Sequence, residues 1–212
     1  MKKRKIIGIT LICLLSVSAL ICGGVFLHQY FDAQNSAAAF DELAGLVVEV
    51  TPPAPDVSDA EGEEPSAAEA ELAQERYGAL FEQNNDFVGW ISIDETSIHY
   101  PVMQTPDNPD YYLKHGVPYI DEGCAPGLSN NIVIYGHHMN DGTMFADLCG
   151  YADRGFYEGH KTIRFDTLSG SGEYEVVAAF RFNTNRDTFR YNEYTNMDEA
   201  EFAEFLENVR AR

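Results

Sequence analysis

Basic side chains are scarce in this chain and unevenly placed. Lysine and arginine number 14 against 34 acidic residues, for a formal net charge of −20. Residues 2–5 are all basic and precede the first acid, Asp32, which leaves 10 basic against 34 acidic side chains for the remainder. A surface of this sign repels phosphate backbones, so the composition argues against nucleic-acid binding. It tolerates amine-bearing partners, and it also favours solubility without any partner.

Charge is absent altogether from residues 6–27. A helix over this run would be about 33 Å long at roughly 1.5 Å per residue, enough to cross a hydrocarbon core of about 30 Å. Because basic residues flank the cytoplasmic side of such spans, we expect residues 1–5 inside and everything after Phe31 outside a cell membrane. A cleaved signal peptide is the alternative, but the run is long for one and no Ala-x-Ala site follows it. We therefore expect a single-pass anchor.

Cysteine is also scarce, with four in the chain. Cys13 and Cys22 fall in the apolar run, where we expect them to pack as small hydrophobic residues. A lipoprotein anchor at Cys22 is disfavoured because the residue before it, Ile21, is bulky. Cys124 and Cys149 fall in the part expected outside the cell, where a disulfide is permitted. The sequence does not place their Cα atoms within bonding distance, so their pairing is left open.

Residues 28–65 are rich in alanine, acids and proline, a composition that is typical of a disordered, self-repelling stalk. A folded domain over residues 66–212 is expected to follow. It begins with a helix, since Ser66 and Glu69 form a capping box and an apolar face recurs at Ala73, Tyr77, Leu80 and Phe81.

Short apolar runs after this helix predict β-strands, and residues 131–136 form the strongest of them. The other predicted strands cover residues 88–93, 97–103, 162–165 and 174–182. Helical segments are predicted at residues 111–113 and 144–148. A C-terminal helix is expected to be capped by Asn196 and Glu199 and to have Phe202, Phe205, Leu206 and Val209 on its apolar face. Many short strands with few helices indicate a mostly β fold, a barrel or a sandwich with helical decorations.

A histidine stands directly after the strongest predicted strand, which ends on Gly136. An imidazole at the open end of a strand suits proton transfer, so His137 is the leading catalytic candidate. His138 is the rival, although strand alternation directs it to the opposite face. For the same reason, His137, His138 and Asp141 are poorly placed to share a metal ion. Capping of the strand end by His137 is the purely structural alternative.

Several segments resemble class B sortases, in the order that the family has them: residues 85–93, 100–104, 112–113, 135–139 and 141–145, followed by Phe156, Tyr157, His160 and Ile163. The similarity extends over residues 71–212. It implies a sortase-like β-barrel and a membrane-anchored cysteine transpeptidase of Gram-positive bacteria. No single segment is specific, but their combined order is.

The resemblance also implies a reaction and a site. A cysteine attacks the threonine carbonyl in the C-terminal sorting signal of a secreted protein, and a peptidoglycan amine resolves the thioester. His137 corresponds to the family histidine that protonates the leaving amine and deprotonates the incoming one. Tyr135, Asn108 and Leu113 are expected to line the substrate groove. No metal or organic cofactor is implied.

The family nucleophile belongs to a Thr-Leu-x-Thr-Cys strand, and the family arginine to the next strand. Neither motif occurs, and no cysteine follows Thr195. Cys124 is a poor substitute because neighbouring acids raise the pKa of a thiol, and Cys149 is expected near a helix C-terminus, which also disfavours a thiolate. We therefore expect a C-terminally truncated and inactive domain lacking its last strands. The alternative function is a non-catalytic membrane-anchored surface protein that binds sorting signals or cell-wall peptides.

Overall fold

The computed structural model describes residues 43–48, 67–183 and 185–212, together with the isolated positions Ser18, Ile21 and Gly24. The chain divides into two units, Met1–Leu43 and Ala44–Arg212, and the fold below belongs to the second. Most of the expected membrane span, the basic tail, Ser66 and most of the stalk lie outside the described residues. Within the described ranges, no helix is both long and apolar enough to cross a membrane.

The helices of the described domain are short apart from the first and the last. The α-helices are α1 (Ala67–Gln83), α2 (Asp110–His115), α3 (Arg154–Gly159) and α4 (Glu199–Arg210). Two 3₁₀ helices cover Phe145–Ala152 and Tyr191–Glu193. Helix α1 confirms the predicted first helix, with Ala73, Tyr77 and Leu80 buried on its apolar face.

The strands form one six-stranded sheet in the order β4-β3-β2-β1-β5-β6. All neighbours are antiparallel except β2 and β3, which pair in parallel at Met103 and Tyr119. The strands are β1 (Phe87–Ser92), β2 (His99–Met103), β3 (Tyr119–Ile120), β4 (Ile134–Tyr135), β5 (Thr162–Thr167) and β6 (Glu173–Glu175). The described strands make an open, β-rich sheet with helices around it, so the mostly β class is confirmed, whereas a closed barrel is not formed by these residues.

Two predicted strands are much shorter than their apolar runs. The run at 131–136 is paired only over Ile134–Tyr135, because β3, its neighbour, is itself two residues long. The run at 174–182 is paired with β5 only up to Glu175, and Val177 is 79% exposed. A strand requires a hydrogen-bonded neighbour, and neither run has a neighbouring strand along its full length within the described residues.

Proline and glycine positions explain two details of the central strands. Pro101 lies inside β2, opposite Trp90 of β1, but β3 pairs with β2 only at Met103, so the strand has one partner around the proline. The β1–β2 register shifts between Phe87 and Gly89. A side chain at Gly89 would collide with the backbone of Asp166 on β5, so this bulge requires glycine.

The core lies between α1 and the sheet. Tyr77 of α1 packs against Phe87 and Trp90 of β1, with ring centroids 6.0 and 6.4 Å apart. Its hydroxyl donates a hydrogen bond of 2.6 Å to the buried carboxylate of Asp166 on β5. Arg76 Nη1 lies 3.4 Å from the same carboxylate oxygen. Helix α1 is therefore joined to the two central strands by ring packing and by one buried polar group.

Candidate active site

The backbone around His137 is held by packing against Phe145. Strand β4 ends just before Gly136, and a side chain at Gly136 would collide with the Phe145 ring. The Phe145 N–H donates a 2.8 Å hydrogen bond to the His137 carbonyl. Glycine is thus required at this position because an aromatic ring occupies the space of its side chain.

The His137 side chain is half-buried and makes one hydrogen bond within the described part of the chain. Its Nε2 lies 2.6 Å from the carbonyl oxygen of Leu113. A carbonyl oxygen only accepts, so Nε2 carries the hydrogen and Nδ1 is the unprotonated nitrogen of the neutral ring. The unbonded nitrogen, Nδ1, is the one that remains available to take up a proton.

Helix α2 supplies the carbonyl that binds His137. The helix ends at Gly116, whose φ of 74° is left-handed and whose N–H donates to the Tyr112 carbonyl. A Cβ added at Gly116 would lie 4.0 Å from His137 Cδ2, so the end of α2 is directly beside the imidazole. The predicted helical turn at 111–113 is confirmed and brings Leu113 to the candidate histidine.

A polar anchor joins α2 to the start of β1. The Tyr112 hydroxyl donates to Asp86 Oδ2 at 2.8 Å and accepts from Asn84 Nδ2 at 3.0 Å. The Tyr112 ring is buried, and burial is the main cause that raises the pKa of its hydroxyl to about 12, with the Asp86 carboxylate acting in the same direction. The hydroxyl is therefore a permanent donor at neutral pH.

Tyr135 stands on β4, two residues before His137. Its hydroxyl donates to Asp121 Oδ2 at 2.8 Å, and its ring lies 5.2 Å from that of Tyr119 on β3. Burial and then the Asp121 carboxylate raise the pKa of this phenol well above its ordinary value. Since its hydroxyl is occupied, Tyr135 offers a substrate its ring rather than a free hydroxyl, and its place in a groove stays a prediction.

Asn108 is exposed in the loop before α2. Its carbonyl accepts from the Tyr111 N–H at 2.9 Å and from Thr105 Oγ1 at 2.9 Å. No hydrogen bond joins Asn108 to His137 within the described residues. The structure thus brings Leu113 into contact with His137. Tyr135 ends strand β4 two residues before His137, and Asn108 is not part of this contact.

His138 and Asp141 have environments unlike that of His137. His138 is exposed, and its backbone forms an isolated antiparallel bridge with Met144. Asp141 Oδ1 accepts from both the N–H and the hydroxyl of Thr143, at 3.0 and 2.7 Å, and these bonds lower the pKa of the carboxyl. Among the described residues, no group of three potential ligands is arranged to hold a metal ion.

The two described cysteines are free and differ in exposure. Cys124 is buried, its Sγ contacting the Asn131 carbonyl at 3.5 Å and accepting from the Val133 N–H at 3.3 Å. Burial is the main cause that raises the pKa of this thiol, and the charge of Asp121 raises it less. The expected direction of the pKa shift is thus confirmed, although the neighbouring acid is the smaller cause. Cys149 is exposed and lies inside the 3₁₀ helix Phe145–Ala152. It was expected just after a helix over residues 144–148. Neither sulfur is hydrogen-bonded to His137.

Several partners of the site residues were not identified from the sequence. Asp86 belongs to the segment 85–93 that carries the family resemblance, but neither it nor Asn84 was predicted to bind Tyr112, and Asp121 was assigned no role beyond an acid near Cys124. A backbone carbonyl such as that of Leu113 has no signature, because every residue has one. Nothing local in the sequence indicates which tyrosine Asp86 or Asp121 binds.

The chain matches the family model described as "Sortase domain" over residues 91–202, more than half of its length. It is 38% identical over 139 residues to sortase B of Listeria monocytogenes and 31% identical over 151 residues to sortase B of Staphylococcus aureus. These alignments cover 60% and 67% of this chain. The aligned regions span only 54% and 61% of the two curated relatives.

Solved structures of sortase B have a similar fold. Sortase B of Bacillus anthracis in complex with AAEK2 superposes with a TM-score of 0.65 at 25% identity, covering 84% of this chain and 80% of that one. Sortase B of L. monocytogenes has a TM-score of 0.54 at 35% identity, covering 62% of this chain and 79% of that one. Family model, relatives and fold agree: the proteins that this chain resembles are sortase B proteins, and the chain belongs to the sortase family.

Proposed function

We propose that this chain contributes the acid–base part of a class B sortase site, which transfers secreted proteins from a C-terminal sorting signal to a peptidoglycan amine. The observation that supports this most directly is the state of His137. Its Nε2 is hydrogen-bonded to Leu113 and its Nδ1 has no partner among the described residues. A neutral imidazole with one free basic nitrogen is suited to accept and return a proton.

The proposed reaction has two halves. His137 takes up the thiol proton as a cysteine sulfur forms a bond to the threonine carbonyl carbon of the sorting signal, and it passes this proton to the leaving amine as the C–N bond breaks. The incoming amine then loses a proton to His137 as its nitrogen attacks the thioester, the C–S bond breaks, and His137 returns the proton to the sulfur. His137 returns to its starting state at the end of this cycle.

We further propose that Leu113, Tyr135 and Asn108 line the groove for the sorting signal. The Leu113 side chain is 41% exposed while its own carbonyl contacts His137, so a peptide lying over it would be next to the imidazole. Tyr135 would contribute its ring. Asn108, on the loop leading into α2, would contribute an exposed amide.

We propose that the 212 residues by themselves give no product. They include no cysteine after Cys149, and neither described thiol is bonded to His137. An imidazole without a thiol beside it cannot form the thioester. Incubation of the chain with a sorting-signal peptide and a glycine amine is the test, and product formation that His137→Ala abolishes would contradict the proposal. Triglycine is a suitable acceptor because one similar sortase B structure is a complex with that peptide.

The role of His137 can be tested in a chimera that restores a nucleophile. Residues 67–212 of this chain would be joined to the C-terminal segment of a class B sortase that contains the family cysteine and arginine. We expect turnover of a sorting-signal peptide that contains the threonine, and loss of about 10²- to 10⁴-fold in kcat for His137→Ala, the usual contribution of acid–base catalysis.

The matched control in the chimera is His138→Ala, which removes the adjacent and exposed imidazole. It should retain activity within a few-fold. Equal loss in both variants, or loss only at His138, would overturn the assignment of the acid–base residue.

We also propose that residues 6–27 anchor the chain in a membrane with the domain outside the cell. The uncharged run and the basic residues 2–5 support this topology. Protease added to intact cells should remove the domain over residues 67–212, and recovery of this domain from the soluble cytoplasmic fraction would contradict the proposal.

Binding without turnover is the alternative function. It is favoured by the burial of Cys124, because a buried thiol of raised pKa is a poor nucleophile. Saturable binding of a sorting-signal peptide to the 212-residue chain, together with an inactive chimera, would favour this alternative.

A further inference from the structure

The contact between α2 and His137 connects the candidate catalytic ring to a polar anchor on the same helix. Leu113 and Tyr112 are consecutive residues of α2. The Leu113 carbonyl binds His137 Nε2 at 2.6 Å, and the Tyr112 hydroxyl binds Asp86 at 2.8 Å and Asn84 at 3.0 Å. The position of the carbonyl therefore depends on the position of the tyrosine.

We propose that Tyr112 is a positioning residue which, through helix α2 and the Leu113 carbonyl, holds His137 in the tautomer with hydrogen on Nε2 and a free Nδ1. This inference rests on the proposed acid–base role of His137. It adds a residue that touches neither the substrate nor the reacting atoms and that selects which imidazole nitrogen exchanges the proton.

The length of α2 explains why the anchor is needed. The helix covers only Asp110–His115 and begins at Pro109 without a side-chain cap. So short a helix has little stability of its own and depends on tertiary contacts. Tyr112 is 5% exposed, whereas its neighbours Tyr111 and Leu113 are 42% and 41% exposed. Tyr112 is therefore the deeply buried residue of these three. It directly precedes Leu113, whose carbonyl binds His137.

The hydrogen bond between His137 Nε2 and the Leu113 carbonyl is also compatible with both halves of an acid–base cycle. Nε2 keeps its hydrogen whether the ring is neutral or protonated, so the bond to Leu113 can persist while Nδ1 gains and loses a proton. Proton exchange would then proceed without a change of ring orientation.

Nitrogen NMR of the full 212-residue chain, labelled with ¹⁵N-histidine and studied in detergent at about pH 8.5, two units above the ordinary histidine pKa, tests the proposal. The His137 signals are assigned by their loss in His137→Gln. We expect one dominant tautomer in the native protein, with the proton on Nε2. A dominant Nδ1–H form, or an even mixture, would overturn the proposal.

Tyr112→Phe removes the anchoring hydroxyl and keeps the ring. We expect the population of the minor His137 tautomer to rise by about threefold, because the helix that carries the Leu113 carbonyl loses its anchoring hydrogen bond. The control is Tyr111→Phe, the same chemical change on the next residue of the same helix, where the ring is exposed. An unchanged tautomer ratio in Tyr112→Phe, or an equal change in Tyr111→Phe, would contradict the proposal.

A second pair of variants changes Asp86, the acceptor of the Tyr112 hydroxyl. This pair tests the positioning role even if Tyr112→Phe fails to fold. Asp86→Ala removes the acceptor and should change the His137 tautomer ratio in the same direction. Asp86→Asn retains a carbonyl acceptor and should restore a ratio near that of the native protein. If Asp86→Ala left the tautomer ratio unchanged, or Asp86→Asn failed to restore it, positioning by Tyr112 would be refuted. The acid–base role of His137 would not be affected, because the chimera tests it separately by turnover.

Discussion

At the scale of single residues, the same side chain has different chemistry in different surroundings, as the histidines demonstrate. His137 donates through Nε2 to Leu113, and His138 is exposed. His99 accepts a 3.1 Å hydrogen bond at Nδ1 from the Trp90 indole, and burial followed by the charge of Arg76 lowers its pKa. His137 and His99 are therefore hydrogen-bonded through different ring nitrogens, which residue identity alone does not reveal.

The lowered pKa of His99 predicts a pH dependence of stability. Because the native pKa is below the unfolded value of about 6.5, the unfolded chain binds more protons in that window and the free energy of unfolding falls as pH drops through it. His99→Gln keeps an acceptor for Trp90 and should make this loss smaller, because no imidazole remains at the position to bind the extra proton in the unfolded chain. Urea unfolding at about pH 7.5 and about pH 5, on either side of the ordinary histidine pKa, provides the measurement.

His138→Gln is the control for this effect, since that ring is exposed and should leave the pH dependence as it is. A steeper pH dependence in His99→Gln than in the native chain would show that the sign is wrong.

The two described thiols predict a sharp difference in alkylation. Exposed Cys149 should react with iodoacetamide in the native protein, whereas buried Cys124, with its raised pKa, should react at least about tenfold more slowly until the domain unfolds. Peptide mapping by mass spectrometry under non-reducing conditions distinguishes the sites. Recovery of a disulfide-linked peptide pair containing both residues would show that they are not free.

At the scale of elements, short-range signals identified most segments but not their ends. The C-terminal helix α4 was expected to be capped by Asn196 and Glu199, and this was wrong. The cap is Asp198, whose carboxylate accepts from the Glu201 N–H while the Glu201 side chain accepts from the Asp198 N–H. The helix therefore starts two residues later than expected, and the preceding residue, Met197, is bound through both its N–H and its carbonyl by the Asn130 side chain. Phe202, expected on the apolar face of α4, is 46% exposed.

The corrected cap predicts a difference between two substitutions. Asp198→Ala should lower the free energy of unfolding by about 1 kcal/mol, because it leaves the Glu201 N–H without its acceptor. Asn196→Ala should change it by less than about 0.5 kcal/mol, as is usual for a surface residue without a special role. Urea denaturation of both variants is the measurement, and a larger loss at Asn196 would restore the original expectation.

At the scale of the whole domain, one buried carboxylate joins α1 to the middle of the sheet. Asp166 is 6% exposed and accepts from the Tyr77 hydroxyl, with Arg76 beside it. Burial and the hydrogen bond to Asp166 raise the pKa of Tyr77, so its proton is retained at any pH of interest. Tyr77 and Asp166 are 89 positions apart along the chain, and nothing in the sequence pairs them.

Tyr77→Phe tests this connection. It removes the only short hydrogen bond to Asp166 among those described and should lower the free energy of unfolding by about 1.5–3 kcal/mol, the cost of losing a hydrogen bond to a charged group. Tyr174→Phe on β6, where the ring is 55% exposed, is the matched control and should cost less than about 0.5 kcal/mol. Thermal and urea unfolding provide the measurement. If Tyr77→Phe and Tyr174→Phe lowered the free energy of unfolding equally, the Tyr77 hydroxyl would make no specific contribution.

The sequence by itself determined the mostly β class, the first and last helices and the family, and it predicted the catalytic histidine. These follow from local periodicity and from motifs whose residues are adjacent in the chain. Only the tertiary structure decided how far each strand extends, which nitrogen of His137 is free, and which helix provides the carbonyl that binds the other nitrogen. Those features depend on hydrogen bonds between residues such as Tyr112 and Asp86, or His137 and Leu113, whose separation along the chain leaves no local pattern to detect.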